Sequence, residues 1–293
     1  MSESRRLFCF GLGYTGLALA RACLAEGWTV AGTCRAAARR DALAAEGIDA
    51  WLFDENNPLA DAPAALAGTT HLLASAPPGE TGDGAASLHG GAIAATETLE
   101  WIGYLSTTGV YGDHSGGWVD EDSPLKPTSE RAERRVAAEN QWLDFWWNDG
   151  VPTQVFRLAG IYGPGRGPLA KVRAGTARRI VKPGQVFSRI HVEDIATVLE
   201  ASIERPHPGA IYNVCDDEAA PPEDVIAHAA ELLGVPVPAA EPFDEAEMTP
   251  MARSFYAESK RVSNARIKSE LGVKLACPTY REGLAALLAE ETA

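Results

Sequence analysis

The sequence lacks the pairs and clusters that hold metals or build a disulfide scaffold. Its five cysteines, Cys9, Cys23, Cys34, Cys215 and Cys277, are scattered, with no C-x-x-C pair and no histidine at metal-ligand spacing. That usage points away from a bound metal and a catalytic thiol, and toward a reducing compartment where cysteines serve as small buried hydrophobes. No apolar run approaches the ~20 residues that a membrane span requires. Positive charge is scarce as well: 26 Lys and Arg against 40 Asp and Glu leave a net charge of −14. Such a balance argues against nucleic acid or an anionic membrane surface as a partner. The leading MSESRR runs straight into the first strand-like segment, which leaves no room for a signal peptide, so a cytoplasmic protein is expected.

What is present is concentrated between Leu7 and Arg40. The apolar run Leu7-Phe8-Cys9-Phe10 is followed at once by Gly11, Gly13 and Gly16, a G-x-G-x-x-G pattern. A helical stretch with Leu17, Leu19, Ala20, Cys23 and Leu24 stops at Gly27, and Trp28 to Cys34 reads as a second strand. In this strand–turn–helix context each glycine has a task. Gly11 permits the tight turn, Gly13 lets the backbone approach a diphosphate, and Gly16 lets the helix pack on the strand. The helix N-terminus then offers N–H groups and a positive dipole end to the phosphates. At the end of the second strand an NAD site normally carries Asp or Glu. Here stand Thr33-Cys34-Arg35, with Arg39 and Arg40 a turn further on. Arginine's fork suits a 2′-phosphate, so NADP is favoured, with NAD as the other option. The alternative is that these arginines are solvated helix charges, with Asp41 cancelling one of them.

Strand-like and helical segments alternate through the first two-thirds of the 293 residues. Further strands are expected at Ile48 to Asp54, His71 to Ala76, Trp101 to Thr107 and Thr153 to Leu158, with Ala-rich helices between them. This β-α-β order predicts an α/β protein, a Rossmann doubly wound parallel sheet. Strand-like pieces recur at Phe187 to Ile190 and Ile211 to Val214. Residues 1–158 and 187–217 are therefore assigned to the dinucleotide-binding domain. Residues 159–186 and 218–293 are assigned to a smaller, partly discontinuous substrate lobe, with a substrate expected in a cleft between the two.

Six stretches together resemble the short-chain dehydrogenase/reductase superfamily, in its extended NAD(P)-dependent epimerase/dehydratase branch. They are Gly11–Gly16, STTGVYG at Ser106–Gly112, PTSERAERRVAAE at Pro127–Glu139, RLAGIYGPG at Arg157–Gly165, FSRIHVEDIA at Phe187–Ala196 and YNVCDDE at Tyr212–Glu218. The likeness covers nearly the whole chain. The glycine spacing departs from the G-x-x-G-x-x-G usual in that branch and points to an atypical subgroup. The resemblance implies a Ser or Thr at the end of the fifth strand that bonds the substrate oxygen, a place held by Thr107, although Ser106 and Thr108 flank it. It also implies a Tyr-x-x-x-Lys pair, and here the chain departs: Arg131 and Arg135 stand in that segment, i, i+4 neighbours on one helix face. Arginine does not exchange a proton near neutrality, so Arg135 is read as a holder of ribose hydroxyls and Arg131 as an anion clamp. Tyr111 and Tyr162 are the alternative phenols. Gly160 stands where the family usually has Asn.

The candidate catalytic residues are thus Thr107, Tyr111, Arg131 and Arg135. The candidate cofactor residues are Gly11, Gly13, Tyr14, Thr15 and Gly16 in the turn, Arg35 and Asp54 beyond the second and third strands, Ser75 and Ala76 after the fourth, and Gly160 and Ile161 after the sixth. Arg166, Lys171, Arg173, Arg178, Arg179, Lys182 and Arg189 form a basic run, which fits either an anionic small-molecule substrate or a solvated face. Trp142, Trp146 and Trp147 look exposed on their helix and suggest a homodimer. Two functions are compatible with these features: an NADP-dependent oxidoreductase or epimerase on a small anionic or sugar-like substrate, and a catalytically silent NADP(H)-binding sensor or regulatory protein.

Overall fold

The computed structural model describes residues 5–292; residues 1–4, on which the reading of the N-terminus rests, lie outside them. Its strands are β1 (Arg6–Phe10), β2 (Thr29–Cys34), β3 (Asp49–Leu52), β4 (His71–Ala74), β5 (Trp101–Thr107), β6 (Trp118–Val119), β7 (Thr153–Leu158), β8 (Gly160–Tyr162), β9 (Arg179–Val181), β10 (Arg189–His191), β11 (Ile211–Val214), β12 (Ala240–Pro242) and β13 (Arg261–Val262). Seven of them form one sheet in the order β11-β7-β5-β4-β1-β2-β3. β1 pairs parallel with β2 and β4, β2 with β3, and β4 with β5. The expected α/β, Rossmann-like parallel sheet is therefore present. Strands β1 to β3 step outward in one direction, and the chain then returns to lay β4 on the other flank of β1. This reversal is the switch point at which sheets of this kind bind ligands.

The helices are α1 (Tyr14–Ala25), α2 (Ala37–Ala45), α3 (Ala62–Leu66), α4 (Gly84–Ala94), α5 (Glu130–Asp149), α6 (Pro168–Arg173), α7 (Val192–Glu204), α8 (Pro222–Leu232), α9 (Pro250–Phe255), α10 (Ala265–Ser269) and α11 (Tyr280–Thr292). Among the described residues no helix is long and apolar enough to cross a membrane. Packing divides the chain into two units. The first runs to Thr107 and takes in Ser129–Arg157 and Val198–Tyr212; the second holds Thr108–Thr128, Leu158–Thr197 and the residues from Asn213 onward. Residues 108–128, 187–197 and 213–217, expected with the dinucleotide-binding domain, fall in the second unit. Strand β10 pairs with β8 in a separate two-stranded ladder, because β11 already occupies the place beside β7.

In the first unit α5 shows how local signals and packing combine. Ser129 caps it, its hydroxyl accepting from Ala132 N at 3.3 Å. Glu130 and Glu133 lie in the first turn, where the dipole favours them. Gly150, at φ 71°, ends it in the left-handed conformation. Ala138, Trp142 and Phe145 form its buried stripe. The expectation that Trp142 is exposed is thereby corrected: it is fully buried, with Tyr104 stacked on it at 6.0 Å and 17°. Trp146 is half-buried, and Trp147 alone of the three projects outward, 68% exposed.

The same helix carries a buried ion pair. Arg157 on β7 donates through Nη2 to Glu139 Oε2 at 2.7 Å, and both side chains are 3% exposed. Arg157 Nε reaches Oε1 at 3.1 Å, and the Ser106 hydroxyl on β5 donates to the same oxygen at 2.5 Å. One carboxylate thus joins α5, β5 and β7.

The second unit has its own core of Tyr162, Leu169, Val225, Ala229, Tyr280, Leu284 and Leu287. Its interior leaves more polar side-chain atoms without a partner than that of the first. Among the described residues, buried side-chain atoms without a hydrogen-bond partner include Tyr162 Oη, His191 Nε2, Asp216 Oδ2, His228 Nε2 and Tyr280 Oη here, against Thr69 Oγ1, Trp142 Nε1 and Gln154 Nε2 in the first unit. Asp216 is 2% exposed, and burial pushes its carboxyl up to about 8, with the nearby Arg189 guanidinium acting in the opposite direction.

Two stability measurements test this account. Glu139→Ala strands the Arg157 charge and the Ser106 hydroxyl, and is expected to cost about 3–5 kcal/mol in denaturant unfolding. Asp216 titrates near 3.8 when unfolded and near 8 when folded. Between those values the unfolded chain has released a proton that the folded chain retains, so folding loses stability as pH rises. Asp216→Asn is expected to remove that slope, and its advantage over the parent in unfolding midpoint should grow from pH 4 to pH 8.

Candidate functional site

The turn between β1 and α1 is fixed by close backbone approaches. Gly11 has φ +93°, and a Cβ there would lie 2.9 Å from Ala76 N. Ser75 N and Ala76 N both donate to Phe10 O, at 2.9 and 3.1 Å, so the end of β4 closes on the turn. A Cβ on Gly16 would lie 2.6 Å from Gly11 O. These two glycines are thus required by the fold itself. Gly13 is different: a Cβ there would meet nothing within 4 Å. It is the N-cap of α1, with no side chain capping the helix, so the first-turn amides of Thr15 and Gly16 are held with the dipole's positive end behind them. Thr15 is 7% exposed.

Strand β2 supplies an anchor that sequence reasoning missed. Thr33 is 1% exposed; its hydroxyl accepts from Gly11 N at 2.8 Å and its carbonyl from Leu12 N at 2.8 Å. The only signal in the sequence was a hydroxyl residue one position before the end of that strand. Just beyond β2, Arg35 is exposed. Arg40 pairs with Asp41 at 3.1 Å, as the solvated-charge alternative has it for one arginine. The Asp54 carboxylate accepts from Asn57 Nδ2, and from Asn56 N and Asn57 N at 2.8 and 3.0 Å. The bonds from Asn57 and Asn56 hold it below the usual carboxylate range, helped by the charge of Arg35. Asp54 therefore caps its own turn.

The other candidates of the first unit gather where β5 ends. Thr107 is half-buried. Its neighbour Ser106, which flanks it in the sequence reading, is 4% exposed and donates to Glu139. Arg135 is half-buried; its Nη1 donates to Leu105 O at 2.6 Å and to Tyr104 Oη at 3.2 Å. Arg131, one turn earlier, is exposed. Of the i, i+4 pair, one member is thus tied to β5 and the other lies in solvent.

Tyr111, Gly160, Ile161 and Tyr162 belong to the second unit. The Tyr111 phenol is fully buried and donates to Asn213 Oδ1 at 2.7 Å. Tyr162 is 3% exposed, packed edge-on against His191 at 5.2 Å and against Gly283 of α11. Burial pushes its phenol far above the ordinary tyrosine range. Gly160 and Ile161 lie in β8, in register with Arg189 and Ile190 of β10. Two members of the basic run are neutralised by carboxylates within this unit. Arg173 pairs with Glu291 and Arg178 with Glu241, while Arg189 donates to Phe187 O and Ala220 O at 2.8 and 3.1 Å. The expected cationic excess is correspondingly smaller.

Comparison with known proteins follows this geometry. The chain is similar over 289 residues to Protein YeeZ of Escherichia coli K12, at 29% identity, covering 94% of this chain and 97% of that protein. A solved structure of a functionally unknown conserved protein from Silicibacter pomeroyi DSS superposes with a TM-score of 0.90 at 55% identity, over 98% of this chain and 99% of the other. A Bacillus cereus UDP-glucuronic acid 4-epimerase, in complex with UDP-glucuronic acid and NAD, shares the fold at 17% identity, with a TM-score of 0.77 over 98% of this chain and 100% of that one. A family model describing the NAD dependent epimerase/dehydratase family matches residues 11–215, from the first glycine of the turn to the residue after β11. With its glycine turn, its switch point and that match across most of its length, the chain belongs to the NAD dependent epimerase/dehydratase family.

Proposed function

We propose that this chain binds NADP(H) at the β1–α1 turn and acts as an oxidoreductase or epimerase on a small anionic or sugar-like molecule. The observation that carries the reading is the open space at Gly13 beside an uncapped helix N-terminus, since the flanking glycines are explained by packing alone. A diphosphate placed there lies across the switch point, with one nucleoside over β2 and the other toward β4 and β5. Over β2 the nearest candidate for the adenosine ribose is Arg35. No carboxylate stands at the end of that strand, and Asp54 is committed to its own turn. A bidentate guanidinium suits a 2′-phosphate, which supports NADP over NAD.

Toward β5, a bound nicotinamide would supply the hydride chemistry. Thr107, at the end of β5, is the hydroxyl assigned to donate to an oxygen that gains negative charge; its neighbour Ser106 donates to Glu139. Arg135 adds positive charge close by without exchanging protons. The sugar-like substrate class is supported by the ligand in the Bacillus cereus structure.

A second reading, the silent NADP(H)-binding sensor, is favoured by one specific observation. Tyr111 and Tyr162, the phenols that stood as alternatives to the missing tyrosine, are both buried, and a proton donor must come within ~3 Å of the substrate oxygen.

Two experiments test the cofactor reading. Titration is expected to give tighter binding of NADPH than of NADH, with Arg35→Ala bringing the two affinities together; equal affinities in the parent would refute the assignment of Arg35. Gly13→Ala should leave the melting temperature nearly unchanged while weakening dinucleotide binding at least tenfold. Gly16→Ala should instead destabilise the fold, because its methyl meets Gly11 O.

A further inference from the structure

Two adjacent residues of β2 hold the β1–α1 turn from the side. A Cβ on Gly32 would lie 2.5 Å from Cys9 O and 2.9 Å from Leu12 Cδ1, so the bare backbone there lets β1 come close and seats the Leu12 side chain. Leu12 is 4% exposed. The β1–β2 register runs as far as Cys9 opposite Gly32. Beyond that pair Thr33 takes two amides: its carbonyl accepts from Leu12 N and its hydroxyl from Gly11 N, both at 2.8 Å. Gly11, at φ +93°, lies outside the ladder, and the Thr33 side chain satisfies the amide that this leaves over. Gly11 O in turn accepts from Gly13 N at 2.8 Å, which carries the constraint to the N-cap of α1. In the other direction Arg35 stands two residues beyond Thr33, about 7 Å further at the rise of an extended chain. Thr33 itself is 1% exposed, so it acts through its neighbours and not by touching a ligand.

We propose that Thr33 is a positioning residue that sets coenzyme preference: it fixes the span between the first-turn amides of α1 and the base of the Arg35 side chain, so that a diphosphate and a 2′-phosphate are held together. The inference rests on the NADP reading of the β1–α1 turn and deepens it by naming the residue that couples its two halves. Both anion-binding elements hang from Thr33 on short tethers, two residues along β2 to Arg35 and two from Leu12 to Tyr14, the first residue of α1. Without the hydroxyl the Gly11 amide loses its acceptor, and the turn shifts against β2. A coenzyme that needs only the amides moves with the turn. One that must reach the amides and Arg35 at once loses part of the benefit of engaging both.

Calorimetric titration of Thr33→Val and Thr33→Ser with NADPH and with NADH tests the coupling. Thr33→Ser keeps the hydroxyl, so its preference between the two coenzymes should match that of the parent. Thr33→Val keeps the shape and loses the acceptor. Its NADPH affinity should fall about three- to tenfold further than its NADH affinity, the margin of one hydrogen bond. In an Arg35→Ala background, Thr33→Val should weaken both coenzymes by the same factor. Ile93→Val trims the buried core of the first unit on α4 and serves as the stability control: it should lower the melting temperature and leave the preference unchanged. The proposal is overturned if Thr33→Val lowers both affinities equally, if it lowers neither, or if Thr33→Ser behaves like Thr33→Val. Failure of the NADP reading looks different: the parent then binds neither coenzyme, or binds both equally, before any substitution is made in β2, and the coupling falls with it.

Discussion

The Glu139 carboxylate organises the part of the first unit where α5 packs on β5 and β7. It is almost without solvent, and it takes two nitrogens of Arg157 and the hydroxyl of Ser106. A buried charge of this kind is stable only when every lone pair is occupied, so helix α5 can sit on the sheet in one register. That register places Arg135, one turn before Glu139, against Leu105 O. It also ties the Ser106 hydroxyl at the end of β5 into the interior. The geometry proposed for Thr107 and Arg135 therefore depends on a contact that touches neither of them.

The glycine turn rests on constraints of a different kind. At Gly11 and Gly16 the backbone comes so close that a side chain has no place. At Gly13 space is left open although the fold does not need it there. The distinction matters for function, because packing explains the first two positions and only the third points to a ligand. Thr33 completes the arrangement by holding Gly11 N and Leu12 N from β2, so the turn is anchored from both flanks, by β2 and by the end of β4.

Much of the fold was legible in the sequence because its determinants are local. The strands at Trp101–Thr107, Thr153–Leu158 and Ile211–Val214 have the expected bounds, each being a run rich in β-branched and aromatic residues. The β10 segment looked just as strand-like, but its partner was settled by competition at the edge of the sheet, which no local pattern records. Trp142 was misread although its signal was present: Ala138, Trp142 and Phe145 follow helical spacing, and the stripe marks a buried face. The site divides along the same line. The glycine turn is contiguous and could be recognised residue by residue. The bonds Ser106–Glu139, Arg157–Glu139 and Tyr104–Arg135 span 33, 18 and 31 positions, and partners so far apart in the chain leave no mark on spacing.

The polar atoms left without partners in the second unit carry a consequence for its physical character. A hydroxyl, imidazole or carboxyl sealed from bulk solvent is normally bridged by trapped water. Tyr162, His191, Asp216, His228 and Tyr280 supply several such groups. Each such water would hold the groups it bridges at fixed points of the interior. Replacing one of these groups by an apolar residue of similar shape would therefore release a water together with the polar atom.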